Sequence, residues 1–162
     1  MRDGRRWGSK ITTLITAAAL QAAPLAPEDF RRLADWLEAE GLPSGDLREP
    51  EVRLFAFRDG DAAIGYAGLE IYGTDALLRS VVVDPARRRA GLGRAIVEAT
   101  LAEAHRLGAT RAFLLTTAAK AYFERLGFAA IERASAPAAI LATRQAVGLC
   151  PSSAPLMVRA LA

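Results

Sequence analysis

The clearest pattern in the chain is a short apolar segment, then a turn that contains glycines, then an amphipathic segment. Residues 76–83, Ala-Leu-Leu-Arg-Ser-Val-Val-Val, are mostly apolar and β-branched, and Asp84-Pro85 follows them directly. Such a run is typical of a buried strand, which the proline ends. From Ile96 to Leu107 apolar residues recur about every 3.6 positions, which predicts a helix that ends at Gly108.

The turn between these two elements has the composition of an anion site. Gly91 and Gly93 would let a ligand approach the backbone, and the first N–H groups of the following helix have no partner within it. Four arginines add charge suited to a phosphate ester, namely Arg87, Arg88, Arg89 and Arg94. The alternative is a solvated basic turn whose glycines serve geometry alone. The position directly after a buried strand favours the phosphate site.

The rest of the pattern predicts strands and helices in alternation. Strands are predicted at 11–16, 52–57, 62–71, 111–116, 128–133 and 155–161, and helices at 27–41, from Thr116 or Thr117 to Gly127, and at 137–145. Asp59-Gly60 predicts a hairpin turn between the second and third strands. The strand at 111–116 follows 76–83 through a crossover helix, so we expect the two to be parallel.

Two motifs give the chain a family resemblance. Residues 88–93, Arg-Arg-Ala-Gly-Leu-Gly, match the Arg/Gln-x-x-Gly-x-Gly/Ala signature of the Gcn5-related N-acetyltransferases (GNAT). Residues 121–128, Ala-Tyr-Phe-Glu-Arg-Leu-Gly-Phe, resemble that family's Tyr-Glu-Lys-Leu-Gly-Phe block. The resemblance implies an α/β fold: a mixed, twisted central sheet of six to seven strands, flanked by helices, with the parallel fourth and fifth strands splayed apart. It also implies acetyl-CoA as co-substrate.

By this resemblance the backbone of the strand at 76–83 pairs with the pantetheine arm of acetyl-CoA, and an N–H near Val82 polarises the thioester carbonyl. The residues implied to hold the cofactor are Val81, Val82, Val83, Arg88, Arg89, Ala90, Gly91, Leu92, Gly93, Arg94, Ala95, Thr117 and Phe123. Core packing is the alternative for the valines, and it is compatible with the first interpretation because the ligand would use backbone groups.

Arg79 is unexpected within an apolar strand. Strand alternation puts it on one face with Leu77, Val81 and Val83, where a buried guanidinium needs an anionic partner. One interpretation is a structural ion pair with Glu70 on the neighbouring strand. The other follows from the resembled family: Arg79, with Ser80 beside it, binds a carboxylate of the acceptor. In that family the region of the loop at 41–46 also lines the acceptor side.

Acetyl transfer to an amine needs a base, an oxyanion stabiliser and an acid. Glu70 is the candidate general base, and a solvent-facing strand residue is the alternative. Where the family usually has Tyr this chain has Phe123, which cannot donate a proton. Tyr122 lies about 100° away around a helix, so it is the candidate general acid only if the helix is rotated. Otherwise the thiolate leaves unassisted.

Length and composition narrow the classes of function. The 162 residues, 52% of them hydrophobic, fit one domain, which we place at 11–162 after a loose extension at 1–10. The start of the chain imitates a secretory signal peptide, but the β-branched residues at 11–16 favour a strand. Because the implied co-substrate, acetyl-CoA, is cytosolic, we expect a cytoplasmic enzyme. A net charge of +3 does not indicate nucleic-acid binding, and no segment has the apolar length for a membrane span.

The chain has one cysteine, Cys150, and one histidine, His105. A single residue of each type predicts neither a disulfide nor a metal site.

The C-terminal segments 136–144 and 149–157, with Leu78-Arg-Ser80, resemble a narrower group, the small acetyltransferases of arsenic-resistance operons, which are similar to N-acetylglutamate synthase-type enzymes. The implied reaction is direct attack by the amine of a small acceptor, an amino acid or its analogue, on bound acetyl-CoA. A homodimer is compatible with the resemblance. The alternative function is a non-catalytic acyl-CoA-binding module.

Overall fold

The computed structural model of the protein describes residues 20–88 and 91–162, so the predicted strand at 11–16 and the extension at 1–10 lie outside the described residues. The strands are β1 (Ala23–Pro24), β2 (Arg53–Asp59), β3 (Ala62–Tyr72), β4 (Asp75–Val83), β5 (Arg111–Leu115), β6 (Ala129–Ile131) and β7 (Leu156–Ala160). The helices are α1 (Phe30–Ala39), α2 (Leu92–Arg106), α3 (Lys120–Arg125) and α4 (Ala138–Leu141).

The described strands form one sheet in the order β1-β2-β3-β4-β5-β7-β6. Neighbouring strands are antiparallel except β4 and β5, which are parallel as predicted from the crossover helix between them. The predicted mixed α/β sheet is therefore confirmed. The hairpin of β2 and β3 is confirmed too, and Gly60 in its turn has a φ of +60°, a conformation that favours glycine.

Helices cover both faces of the sheet. On one face α2 packs against β3 and β4, with Ile96 and Val97 fully buried in a core that also contains Ile64. On the other face α1 and α4 contact β4, and Leu37 and Ile140 are buried there. The apolar side of each helix thus packs on the sheet, so that β4 has a hydrophobic core on each of its faces. Among the described residues, no helix is long and apolar enough to cross a membrane.

The single helix predicted at 137–145 is wrong. In the structure α4 ends at Leu141, and a π-helical turn at Gln145–Leu149 follows. Thr143 explains the interruption: its hydroxyl donates to the Ile140 carbonyl at 2.7 Å and accepts from the Ala146 N–H at 3.3 Å. A side chain that binds nearby backbone groups in this way competes with continuous helix.

The predicted strand at 128–133 is shorter in the structure, where β6 stops at Ile131. A 3-10 turn begins at Arg133, whose guanidinium donates to the carbonyl oxygens of Ala146, Pro151 and Ala154. These contacts draw the chain away from the sheet toward the loop before β7.

Candidate active site

The strand β4 contains a bulge at its centre. One residue of β3, Ala67, faces two residues of β4, Ser80 and Val81. Ser80 has a φ of +56°, in the left-handed region that a residue other than glycine rarely adopts. An extra residue in one strand re-aims the side chains that follow it, so the two ends of β4 present different patterns.

The bulge corrects the predicted alternation along β4. Leu77, Arg79, Val81 and Val83 do not share a face, because the extra residue reverses the order after Ser80. Val81 and Val83 pack, half-buried, against the core beneath α2, whereas Leu77 is buried in the core on the opposite face. Arg79 therefore lies on the side of the sheet away from the two valines.

A gap opens between β4 and β5. The two strands pair only from Asp75 with Arg111 to Leu77 with Phe113, although β4 continues to Val83. This is the predicted splay of the parallel strands. It leaves backbone groups at the end of β4 without a β5 partner, next to half-buried valine side chains, and buried backbone groups of that kind require hydrogen-bond partners.

The open edge of β4 leads to the start of α2. The Asp84 carboxylate accepts from the Ala86 N–H at 3.0 Å and holds the turn after the strand. Gly91 precedes the helix with a φ of +71°, and a Cβ placed on it would have no atom within 4 Å. Leu92 and Ala95 are buried and anchor the first helical turn. The free amides of that turn therefore lie at an open surface, which suits an anion.

Two of the predicted arginines, Arg88 and Arg94, flank this turn among the described residues. Arg88 forms an ion pair with Glu40 at the end of α1, with both side chains partly exposed, and Arg94 is exposed on the first turn of α2. Arg89 and Ala90 lie outside the described residues. Because exposed ion pairs contribute little, the Arg88 guanidinium is available to a phosphate. The diphosphate of acetyl-CoA therefore fits the residues of this turn.

The predicted cap of the next helix at Thr116 or Thr117 is wrong, because α3 begins after Ala119 and has no side-chain cap hydrogen bond there. Thr116 instead accepts from the Ala119 N–H at 3.0 Å and holds the turn before the helix, and Thr117 is exposed. Phe123 lies edge-on to Phe128 with ring centroids 5.8 Å apart. The general-acid role of Tyr122 stays a prediction, and burial raises the pKa of its phenol.

The predicted ion pair between Arg79 and Glu70 is confirmed, at 3.0 Å. Sequence reasoning missed Asp46, which binds the same guanidinium through both carboxylate oxygens, one of them at 2.6 Å. Burial alone would lower the pKa of Arg79, but the hydrogen bonds to both carboxylates raise it overall. The side chain of Arg79 is only 1% exposed. This arrangement leaves little of the guanidinium for an acceptor carboxylate.

Glu70 is buried, so the alternative of a solvent-facing residue is wrong. One of its oxygens binds Arg79, and the other accepts from the Tyr72 hydroxyl at 2.5 Å. Burial and the neighbouring Glu70 carboxylate raise the pKa of Tyr72, which stays a protonated donor. With both oxygens engaged, Glu70 has the environment of a structural carboxylate, and the geometry gives no support to its role as a base.

Cys150 lies near the same cluster. Its thiol is buried and donates to the Gln145 side chain at 3.3 Å. Burial raises the pKa of the thiol, which makes it a weak nucleophile at neutral pH. The only sequence signal for the whole cluster was Arg79 itself, since a guanidinium in an apolar strand requires anions nearby.

Comparison with known proteins agrees with this geometry. The family described as the acetyltransferase (GNAT) family matches residues 12–128. N-acetylglutamate synthase from Neisseria gonorrhoeae, solved with coenzyme A and N-acetyl-glutamate, superimposes with a TM-score of 0.74 at 19% identity and covers 88% of this chain. The present chain spans only 35% of the length of that synthase. No curated protein matches the chain in sequence.

Two structures of similar size share the fold over nearly their whole length. Rv2747 from Mycobacterium tuberculosis, solved with coenzyme A, has a TM-score of 0.68 at 20% identity and covers 87% of this chain and 99% of its own. The ribosomal-protein-S18-alanine N-acetyltransferase from Escherichia coli has a TM-score of 0.65 at 19% identity, covering 88% and 94%. At these identities the likeness establishes the fold.

Proposed function

The chain belongs to the GNAT family of acetyltransferases, and from this premise we propose that it transfers acetyl from acetyl-CoA to the amine of a small acceptor. The observation that carries the proposal is the continuity of the site: the edge of β4 left unpaired by β5 runs directly to the open glycine turn and the first amides of α2. The extended pantetheine arm of acetyl-CoA matches the strand edge, and the diphosphate at the end of the arm matches the glycine turn.

Each part of the site has its own task in holding the co-substrate. Backbone groups of Val81, Val82 and Val83 pair with the pantetheine arm. Gly91, Leu92, Gly93, Arg94 and Ala95 present the helix amides to the diphosphate. Arg88 and Arg94 add positive charge; Arg89 and Ala90, which the family resemblance also assigns to this turn, lie outside the described residues. Thr117 and Phe123 border the site from the start of α3. When bound, acetyl-CoA supplies an activated acyl thioester.

The acceptor side lies across the bulge. Arg79 ties the loop that carries Asp46 to β4, and the family resemblance places the acceptor near this loop. We therefore assign Arg79 and Ser80 a positioning role: they fix the wall of the acceptor site, and the backbone N–H near Val82 stabilises negative charge on the carbonyl oxygen. The acceptor is proposed to be an amino acid or its analogue, which attacks directly as a neutral amine. The link to arsenic resistance stays a prediction from the C-terminal resemblance.

Titration of the free protein with coenzyme A tests the cofactor site. We expect saturable binding whose dissociation constant rises severalfold in Arg88→Ala. High salt should weaken binding by the unmodified protein still more, because ions screen all of its phosphate contacts. Arg31→Ala is the control, since Arg31 forms an exposed ion pair with Asp35 within α1 and was not predicted to contact the cofactor. Binding of ATP without binding of coenzyme A would contradict the assignment.

A thiol-release assay over a panel of amino acids and small amines tests catalysis. Acceptor-dependent release of coenzyme A supports the proposal and names the acceptor. If the protein binds acetyl-CoA while no amine stimulates thiol release, the alternative function, a non-catalytic acyl-CoA-binding module, is the correct one.

A further inference from the structure

Tyr122 connects the start of α3 to the start of α2. Its ring packs against the core beneath α2 and lies edge-on to Phe123, with centroids 5.3 Å apart. Its hydroxyl reaches Gly93 in the first turn of α2, where a Cβ built on the glycine would lie 2.6 Å from the oxygen. The same Cβ would lie 3.6 Å from a methyl group of Val83. The hydroxyl therefore sits where the end of β4 meets the beginning of the helix.

The position of this hydroxyl decides what it can reach. A Cα–Cβ bond tilts toward the N-terminus of its helix, so the oxygen lies beside the turn whose amides face the open surface. A proton donor to the departing thiolate must come within hydrogen-bond distance of the sulfur. In coenzyme A the whole pantetheine arm separates the sulfur from the diphosphate, so one hydroxyl cannot serve both ends.

We propose that Tyr122 is a cofactor-binding residue whose hydroxyl donates a hydrogen bond to the diphosphate end of acetyl-CoA, and that residue 93 is a glycine because this hydroxyl occupies the space of a side chain. The inference rests on the proposed function, and it replaces the general-acid role predicted for Tyr122. Phe123, the residue in the family's tyrosine position, carries no hydroxyl, so the thiolate leaves without a tyrosine as acid.

The pairing of hydroxyl and glycine is tested in the free protein by thermal unfolding. Gly93→Ala should lower the melting temperature, because a Cβ 2.6 Å from the Tyr122 hydroxyl oxygen forces the tyrosine ring to shift from its packed position. The double variant Gly93→Ala, Tyr122→Phe should be at least as stable as Tyr122→Phe alone, since the nearest ring carbon is then 3.6 Å away and alanine is the better helix former. Gly45→Ala is the control, with no atom within 4 Å of its Cβ. A double variant that stays as unstable as Gly93→Ala would overturn the pairing.

The cofactor role is tested by comparing two thioesters, acetyl-CoA and S-acetylpantetheine, which lacks the diphosphate. Tyr122→Phe should raise the dissociation constant of coenzyme A and the KM for acetyl-CoA about tenfold, as expected for a lost hydrogen bond to a charged group. Its kcat, and its kinetics with S-acetylpantetheine, should match those of the unmodified protein.

Two results would overturn this role. An equal fall in kcat with both thioesters would identify Tyr122 as the proton donor, and an unchanged dissociation constant for coenzyme A would reduce it to a packing residue. Both results require that the unmodified protein binds coenzyme A. A failure of the proposed function is recognised separately, because the unmodified protein would then show no binding at all.

Discussion

The two halves of β4 are built by different means. After the bulge at Ser80, the strand faces a gap and leads to a glycine turn, so the site proposed there consists of backbone groups. Before the bulge, the same strand carries Arg79, which is locked by Asp46 and Glu70 in a buried network of side chains. One half is open and is proposed to bind the co-substrate through main-chain amides; the other is a closed, buried ion-pair network.

The two halves of β4 separate the groups proposed to bind a ligand from the groups that stabilise the fold. A site made of backbone amides and exposed arginines can release and rebind a ligand without rearranging the core. A buried ion-pair network cannot, because each charge depends on the others for compensation. The bulge is the boundary between the two, and substitutions on either side should therefore have different kinds of effect.

The largest effect is expected in the closed half. Arg79→Met keeps much of the apolar volume but leaves the Asp46 and Glu70 carboxylates buried without their common partner. Removing one partner of a buried pair costs about 3–5 kcal/mol, and urea unfolding should show a loss of that order. Arg31→Met is the matched control, because its pair with Asp35 is exposed and such pairs contribute at most about 1 kcal/mol. Equal losses in the two variants would show that the network is not structural.

The two halves also differ in how far the sequence predicted them. The open half follows from local patterns: an apolar run, a proline after it, two glycines and the period of the helix, all within 76–108. These features act through backbone conformation, which neighbouring residues determine. Local patterns therefore predicted where α2 starts, that it ends before Gly108, and that β5 is parallel to β4.

The closed half depends on contacts that local patterns do not contain. Asp46 lies 33 residues before Arg79 in a loop without periodicity, so only the need of Arg79 for an anion pointed toward it. The left-handed conformation of Ser80 has no sequence signal either, since serine has no special preference for it. That one residue was enough to invalidate the predicted alternation of Arg79 with Val81 and Val83. The interruption of the helix at Thr143 is of the same kind, because Thr100 makes a similar hydroxyl bond to the Ile96 carbonyl within the uninterrupted helix α2.

A substitution of intermediate effect tests the open half from the side of β3, where Gly65 is paired with Val83. A Cβ on Gly65 would collide with Ile96 of α2 and lie 2.7 Å from the carbonyl oxygen of Val82. Because backbone cannot yield as a flexible side chain does, Gly65→Ala should cost about 1–3 kcal/mol, as overpacking does. It should also weaken coenzyme A binding, since the backbone at Val82 must shift. Denaturant unfolding and a coenzyme A titration measure the two effects.

Gly68→Ala is the control for this variant on the same strand. Its Cβ would lie 3.2 Å from side-chain carbons of Arg79 and Leu54, which can move by a few tenths of an ångström. We expect a smaller loss of stability and no change in coenzyme A affinity. If Gly68→Ala weakened coenzyme A binding as much as Gly65→Ala, the two halves of β4 would not be separate.

The smallest effect is expected from an ion pair that belongs to neither half. Arg106 binds the Glu103 carboxylate through Nε at 2.9 Å and through Nη2 at 2.5 Å, at the end of α2 remote from the glycine turn. These hydrogen bonds lower the pKa of Glu103. A carboxylate whose pKa is lower in the folded state stabilises the protein above its unfolded pKa, and this contribution is lost as the pH falls through the folded value. Glu103→Gln should therefore destabilise the protein slightly at neutral pH and not at all in strong acid. The loss at neutral pH should be smaller than that of either glycine variant.

Melting temperatures measured from neutral pH to strong acid test this expectation. Arg106→Gln should remove the same acid-dependent part of the stability. A loss in Glu103→Gln that persisted unchanged in acid would show that packing, and not charge, stabilises this end of the helix.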